Sequence, residues 1–265
     1  MGIRIIGTGH IFEKSVREVR ESIYKETPDI VAVELDFVRF KALEEQNFSV
    51  DLKDDDFKLN LNDVVRGGSL LVFLQRILSM IQKELGRRYG IKPGADMCAA
   101  ILAAKDIGSN VALIDRNIDI TMNHILAIPF KEKMSMFKGV DNPDVLFGLL
   151  GGDLERILEE ENLNRVMDYL KKTSPSLYSV LVDERDRYMA LQLDMLQKKN
   201  PDAKIIAVVG AGHKRGIQRY LERLSGGDEI SLRPLIEIKR VSVFGVLFLI
   251  FGVVVAYMLM KIGSR

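Results

Sequence analysis

Four short apolar, partly β-branched runs punctuate the chain: IRII at residues 3–6, IVAVEL at 30–35, NVALI at 110–114 and KIIAVV at 204–209. Each is bounded by turn or polar residues, the pattern of buried strands. Between the first two, SVREVRESIYK at 15–25 places Val16, Val19 and Ile23 on one helical face, and Pro28 marks the turn into the second strand. That is a β-α-β unit. Residues 95–107, rich in Ala, Leu and Met, predict a helix that ends near Gly108. Residues 214–224 predict an amphipathic helix stopped by Gly226-Gly227. Strands alternating with helices give an α/β layered domain with a largely parallel central sheet. A last apolar alternation at 231–238 predicts an additional edge strand.

Two segments depart from this alternation. Residues 67–90 predict a helix with Leu70, Phe73, Leu74, Ile77, Leu78, Ile81 and Leu85 on a broad face. Residues 122–200 predict a long, mostly helical stretch with breaks at Pro143, Gly151-Gly152 and Pro175. Both are expected as helical insertions that cap one end of the sheet. The broad face of 67–90 suits core packing first, with homodimerisation or membrane contact as alternatives. The acidic run at 51–56 suits a solvated loop rather than a metal site.

Residues 241–260, VSVFGVLFLIFGVVVAYMLM, carry no charge and a single hydroxyl. A helix of that length spans about 30 Å, the hydrocarbon thickness of a bilayer. The expected layout is therefore an α/β domain over 1–240 followed by a transmembrane helix at 241–260. Arg233, Lys239 and Arg240 precede the run, and Lys261 and Arg265 follow it. This slight basic excess on the N-terminal side, with no signal-like segment at Met1–His10, predicts a membrane protein with residues 1–240 on the cytoplasmic side.

Composition narrows the function classes. The 265 residues are 47% hydrophobic and 28% charged with a net charge of +1, which excludes a disordered tail and argues against a basic nucleic-acid-binding surface. One cysteine, Cys98, excludes a disulfide framework.

The chemistry concentrates at strand ends. Two of the three histidines share a local sequence: IIGTGH ends in His10 and VVGAGH ends in His213. Residues just past the carboxyl ends of parallel strands line the crevice where ligands bind, so the two imidazoles are expected to converge. Glu34 ends the second strand in VAVELD with Asp36 two residues later, and Asp115-Arg116 ends the third in NVALIDR. Two imidazoles and a carboxylate are suitable ligands for a divalent transition metal, which acidifies a bound water. A nearby arginine would steady an oxyanion. The competing interpretations are plain: strand-end histidines are often structural, and Glu34 could simply pair with Arg39 or Arg116. The glycines at 210, 212 and 216 make only a loose dinucleotide-type loop, because their spacing is not GxGxxG.

Taken together, GTGH, PDIVAVELDFVRFKAL, LIDRNIDIT, ERDRYMA and VVGAGHKRGI resemble the TraB/PrgY pheromone-shutdown family. More distantly they resemble the TIKI membrane proteases and the erythromycin-esterase/ChaN-like fold. The resemblance runs in order across residues 7–219. It implies an active centre built from His10, His213, Glu34 and an arginine, with Arg116 in LIDR and Arg185 in ERDRYMA both candidates. The TIKI branch implies divalent-metal-dependent peptide cleavage, and the bacterial branch implies inhibition of peptide-pheromone signalling at a membrane; the cofactor expected here is a divalent ion, manganese, cobalt or zinc. A further block, Gly94-Ala95-Asp96-Met97, puts Asp96 in a first helical turn, where capping is as good an explanation as catalysis. His124 in TMNHIL lies outside the paired motif and is expected to be structural.

These features predict a membrane-anchored, metal-dependent hydrolase acting on peptides or proteins, with His10, Glu34 and His213 at the metal. The alternative of a different class is a non-catalytic membrane protein that binds or sequesters a peptide signal. A tail-anchored scaffold that dimerises through residues 67–90 is a third.

Overall fold

The computed structural model describes residues 2–8, 13–48, 94–129, 131–132, 167–168, 170–172 and 174–240. His10, the acidic run at 51–56, the helix expected at 67–90 and the apolar run at 241–260 lie outside the described residues.

Four strands form one parallel sheet: β1 (Ile3–Thr8), β2 (Ile30–Val33), β3 (Asn110–Leu113) and β4 (Ile205–Gly210), in the order β1-β4-β2-β3. Numbered over the described residues, the helices are α1 (Glu13–Glu26), α2 (Phe37–Glu45), α3 (Ala95–Asp106), α4 (Ile118–Ala127), α5 (Pro175–Tyr178), α6 (Glu184–Lys199), α7 (Ala211–Ser225) and α8 (Arg233–Ile236). A π-helical segment, Ser179–Asp183, joins α5 to α6. The expected break at Pro175 is thus a helix start, where the missing N–H of proline costs nothing.

The strand runs lack polar alternation because helices cover both faces. On one face Val31, Val33, Ile206 and Val208 pack against Val19 and Ile23 of α1 and against Ala100, Ile101, Ala103 and Ala104 of α3. On the other, Ile30, Ala32, Ile205, Ala207 and Val209 pack against Met189, Ala190 and Leu193 of α6 and Ile217 and Tyr220 of α7. All six residues of β4 are buried. Each large aliphatic side chain so covered contributes about 1.5–3 kcal/mol, so the middle of the sheet is the firmest support available to residues at its edge. The α/β class and the parallel sheet stand as expected, and the described parts of 122–200 are mainly helical.

Three local differences matter for the site. The second strand stops at Val33, so Glu34 belongs to the turn that follows it. The last long helix begins at Ala211, three residues earlier than the pattern indicates, which puts His213 in its first turn. The edge strand expected at 231–238 is absent: Arg233–Ile236 is a helical turn with Pro234 near its start. Pro234 has no N–H to offer a ladder. The carbonyls of Leu235 and Glu237 are instead taken by side chains of Arg116 and His124, and Asn123 holds both the N–H and the carbonyl of Lys239. Among the described residues no helix is long and apolar enough to cross a membrane.

Candidate active site

Strand register puts the carboxyl ends side by side. Thr8 of β1 lies opposite Gly210 of β4, and Val33 of β2 opposite Val208. Glu34, the residue after β2, still gives its N–H to the Val208 carbonyl at 3.1 Å. Its carboxylate then faces the β4–α7 junction. Oε2 accepts the N–H of Gly210 at 2.6 Å, and Oε1 accepts from Arg185. Gly210 is the N-cap residue of α7 and has no side chain to cap it. A carboxylate brought from another strand takes the N–H of this N-cap residue, the bond a capping-box glutamate makes, in a favourable place for negative charge.

Asp115 follows β3 in the same way, with its N–H on the Leu35 carbonyl at 3.2 Å. Its carboxylate gathers two guanidinium groups. Arg185 donates Nε and Nη2 at 3.1 and 2.6 Å, and Arg39 donates from the first turn of α2. Burial alone would raise the Asp115 carboxyl, but Arg185 and Arg39 override it and hold the group well below the usual carboxylate range. Burial likewise opposes the charge on Arg185, and Asp115 and Glu34 outweigh it, so this guanidinium stays cationic although nearly enclosed.

His213 closes the cluster. Arg185 Nη1 donates to its Nε2 at 2.9 Å, while its Nδ1 lies 2.6 Å from Asp186 Oδ1. Glu34 Oε1 stands 3.4 Å from the same Nε2, with Arg185 bonded to both. Asp186 is buried, which pushes its carboxyl up to about 6 against the opposing bond from His213. On the near side, Thr8 at the end of β1 donates its hydroxyl to Asp96, the buried carboxylate in the first turn of α3.

The two candidate arginines separate. Only Arg185 reaches Glu34 and His213. Arg116 is enclosed in a second cluster with Glu184 Oε2 at 2.7 Å, the Leu235 and Val180 carbonyls at 2.9 and 3.2 Å and the Thr121 hydroxyl at 3.2 Å. His124 completes that cluster, with Nδ1 2.6 Å from Glu184 and Nε2 2.8 Å from the Glu237 carbonyl. Glu34 therefore pairs with neither Arg39 nor Arg116 among its described partners. Glu184 and Arg185 are consecutive on a helix that turns about 100° per residue, which sends one to each cluster.

The sequence motif singles out Arg185 in ERDRYMA and does not point to Asp186 beside it. Nor does it point to Asp115 holding Arg185 through two of its nitrogens. The available signal was the three consecutive charges that open α6: Arg185 and Asp186 meet on His213, while Glu184 turns to Arg116 and His124. Of the expected metal ligands, Glu34 and His213 are together, and His10 is outside the described residues. Among the described residues no group of three or more His, Cys, Asp or Glu side chains is placed to hold a metal ion.

A buried carboxylate, arginine and histidine are collected at the carboxyl edge of a parallel sheet, where α/β proteins bind their ligands. The chain belongs to the TraB/PrgY/gumN family, whose model matches residues 2–227. It is 40% identical to an uncharacterized protein of Methanocaldococcus jannaschii over 240 residues, covering 90% of this chain and 58% of that protein. TraB domain-containing proteins of Mus musculus and Homo sapiens are each 26% identical over 284 residues, covering 99% of this chain and 74% of theirs. The chain thus spans little more than half the length of its archaeal relative.

Proposed function

We propose that this protein is a membrane-anchored, divalent-metal-dependent hydrolase acting on peptides or proteins. The observation that carries this is the approach of two acceptors, His213 Nε2 and Glu34 Oε1, to 3.4 Å beneath a guanidinium that is held cationic. Two ligands of one tetrahedral ion, at about 2.0–2.1 Å each, stand about 3.3–3.4 Å apart. The donor types support a metal here once the Arg185 nitrogens that take both atoms turn aside, and His213, Glu34 and His10 are the residues that would hold it. His10 follows β1, the strand that flanks β4 opposite β2, which supports its inclusion. Bound there, a metal would supply an acidified water and polarise a carbonyl.

The side chains have separable parts in this scheme. Asp115 grips Arg185 through two nitrogens and keeps the plane of the guanidinium fixed. Arg185 offers donors to negative charge that develops on a substrate oxygen, as an oxyanion site does. Glu34 positions the start of α7 through Gly210 and so sets where His213 stands. Anchoring rests on the apolar composition of residues 241–260, and the cytoplasmic side of the α/β domain on the basic residues that precede them.

A second reading has its own support. Arg185 now serves as the cation between both acceptors, which suits a binding protein that captures a peptide without turnover. The deciding experiment is metal content by plasma mass spectrometry on the full chain, with cleavage of a fluorogenic peptide library with and without chelator. Stoichiometric metal lost in His213→Ala, together with chelator-sensitive cleavage, is expected. Saturable peptide binding with no metal and no cleavage would replace the hydrolase by the binding protein.

A further inference from the structure

We propose that Asp186 is the positioning residue of His213, and that position 216 is glycine because the Asp186 carboxylate fills the space a side chain there would need. The inference rests on the assignment of His213 to the functional site and adds a group that acts on it from outside.

The argument starts from hydrogen-bonding capacity. Guanidinium nitrogens only donate, so Arg185 Nη1 at 2.9 Å requires His213 Nε2 to be an accepting lone pair. The nitrogen opposite lies 2.6 Å from Asp186 Oδ1, and a carboxylate only accepts. The proton of the ring therefore sits on Nδ1, and the lone pair of Nε2 faces Arg185, with Glu34 beside it. Two consecutive residues of α6, Arg185 and Asp186, thus take the two nitrogens of one ring and leave it a single orientation and a single tautomer. A ligating or proton-accepting histidine is oriented in this way, one nitrogen tied to a carboxylate fixing the ring and its tautomer.

Gly216 supplies the room. It lies in the body of α7, three residues after His213, and its backbone is not in the left-handed region. Conformational freedom does not explain it, and glycine inside a helix is worse than alanine. Space does. A Cβ built on Gly216 would overlap Asp186 Oδ2 and fall 2.6 Å from Asp186 Cγ. The carboxylate has its other flank in the protein interior, with Asp186 only 1% exposed, so it has nowhere to retreat. The third glycine of the VVGAGHKRG segment is thereby a socket for a carboxylate and has no part in a phosphate loop.

With three histidines in the chain, ring nitrogens can be followed individually by 15N NMR, with the His213 signals assigned by their loss in His213→Gln. The full chain is used, in detergent and treated with chelator, without substrate. The expected wild-type result is Nδ1 protonated, Nε2 bare, and a low-field Nδ1 proton. Asp186→Ala should abolish the low-field proton and mix the tautomers, and Gly216→Ala should do the same while lowering Tm. In the Asp186→Ala background the glycine substitution should no longer lower Tm, since nothing then occupies the socket. Should Asp186→Ala fail to fold, Asp186→Asn keeps the volume and should still shift the Nδ1 proton upfield. A wild-type Nε2–H tautomer, an unchanged proton in the Asp186 variants, or an equal Tm loss from Gly216→Ala in both backgrounds would overturn the proposal. None of these readouts involves turnover or metal, so an inactive wild type with the expected spectrum counts against the hydrolase alone.

Discussion

Glu34 Oε2 accepts the N–H of Gly210 at 2.6 Å, so a carboxylate at the end of one strand caps the helix that follows its neighbour. The other oxygen of the same carboxylate accepts from Arg185. Glu34→Gln keeps one acceptor and turns an amide N–H₂ against one of two donors. The conflict is buried, since Glu34 is only 7% exposed. The expected loss is about 1–3 kcal/mol of unfolding free energy in a urea titration, with loss of any turnover. A fully stable Glu34→Gln would show that the capping bond contributes nothing.

Asp115 makes the acid side of the stability curve predictable. Burial opposes its charge, but Arg185 and Arg39 lower its folded pKa far below the unfolded value of about 3.9. A carboxylate lowered on folding stabilises the native state above its unfolded pKa, and the contribution is lost as pH falls through the lowered folded value. Wild-type stability should therefore decline as pH drops below about 4. Asp115→Asn should be less stable at pH 7 and show a shallower decline in the same window. Parallel curves for the two proteins in urea titrations between pH 5 and 2.5 would contradict the assignment.

The sheet was legible in the sequence because strands buried on both faces leave unbroken apolar runs, as 204–209 does. Its carboxyl edge was legible for the same reason: a charge directly after such a run, as at Glu34 or Asp115, can only be at the edge. What the pattern could not decide was which arginine serves which carboxylate. Arg116 and Arg185 both stand near a strand end or an ERD cluster, and only the direction in which α6 presents Arg185 separates them. Residues 231–238 misled because alternation of apolar and polar side chains does not reveal where backbone carbonyls find donors. Here those donors are side chains from α4 and the turn before it.

Those donors make the second cluster a clamp. His124 stands between Glu184 and the Glu237 carbonyl, and Arg116 between Glu184 and the Leu235 carbonyl. The segment 233–240 is thereby fastened to α4 and α6 by side chains alone. The Glu184 carboxyl, opposed by burial, is held below its ordinary range by Arg116 and His124. Glu184→Gln should leave Arg116 buried without its counter-charge, at a cost of about 3–5 kcal/mol. Amide hydrogen exchange should rise across 233–240 in both Glu184→Gln and His124→Ala. Unchanged protection there would mean that the segment is held by something other than this cluster.

Arg116 and Arg185 can be told apart by the same conservative change. Lysine keeps the positive charge but loses the planar fork that serves several acceptors at once. In Arg185→Lys a single ammonium cannot reach Asp115, Glu34 and His213 together, and all three belong to the strand-edge site. Under the hydrolase reading this should reduce kcat by about 10²-fold with KM nearly unchanged, as loss of an oxyanion donor does. In Arg116→Lys the Leu235 and Val180 carbonyls lose their donor inside the protein. Stability should fall by about 1–3 kcal/mol, while kcat of the folded fraction stays at the wild-type value. The comparison needs only steady-state cleavage of one peptide and a urea titration of each variant. The reverse pattern, with turnover lost in Arg116→Lys and retained in Arg185→Lys, would move the functional arginine to the other cluster.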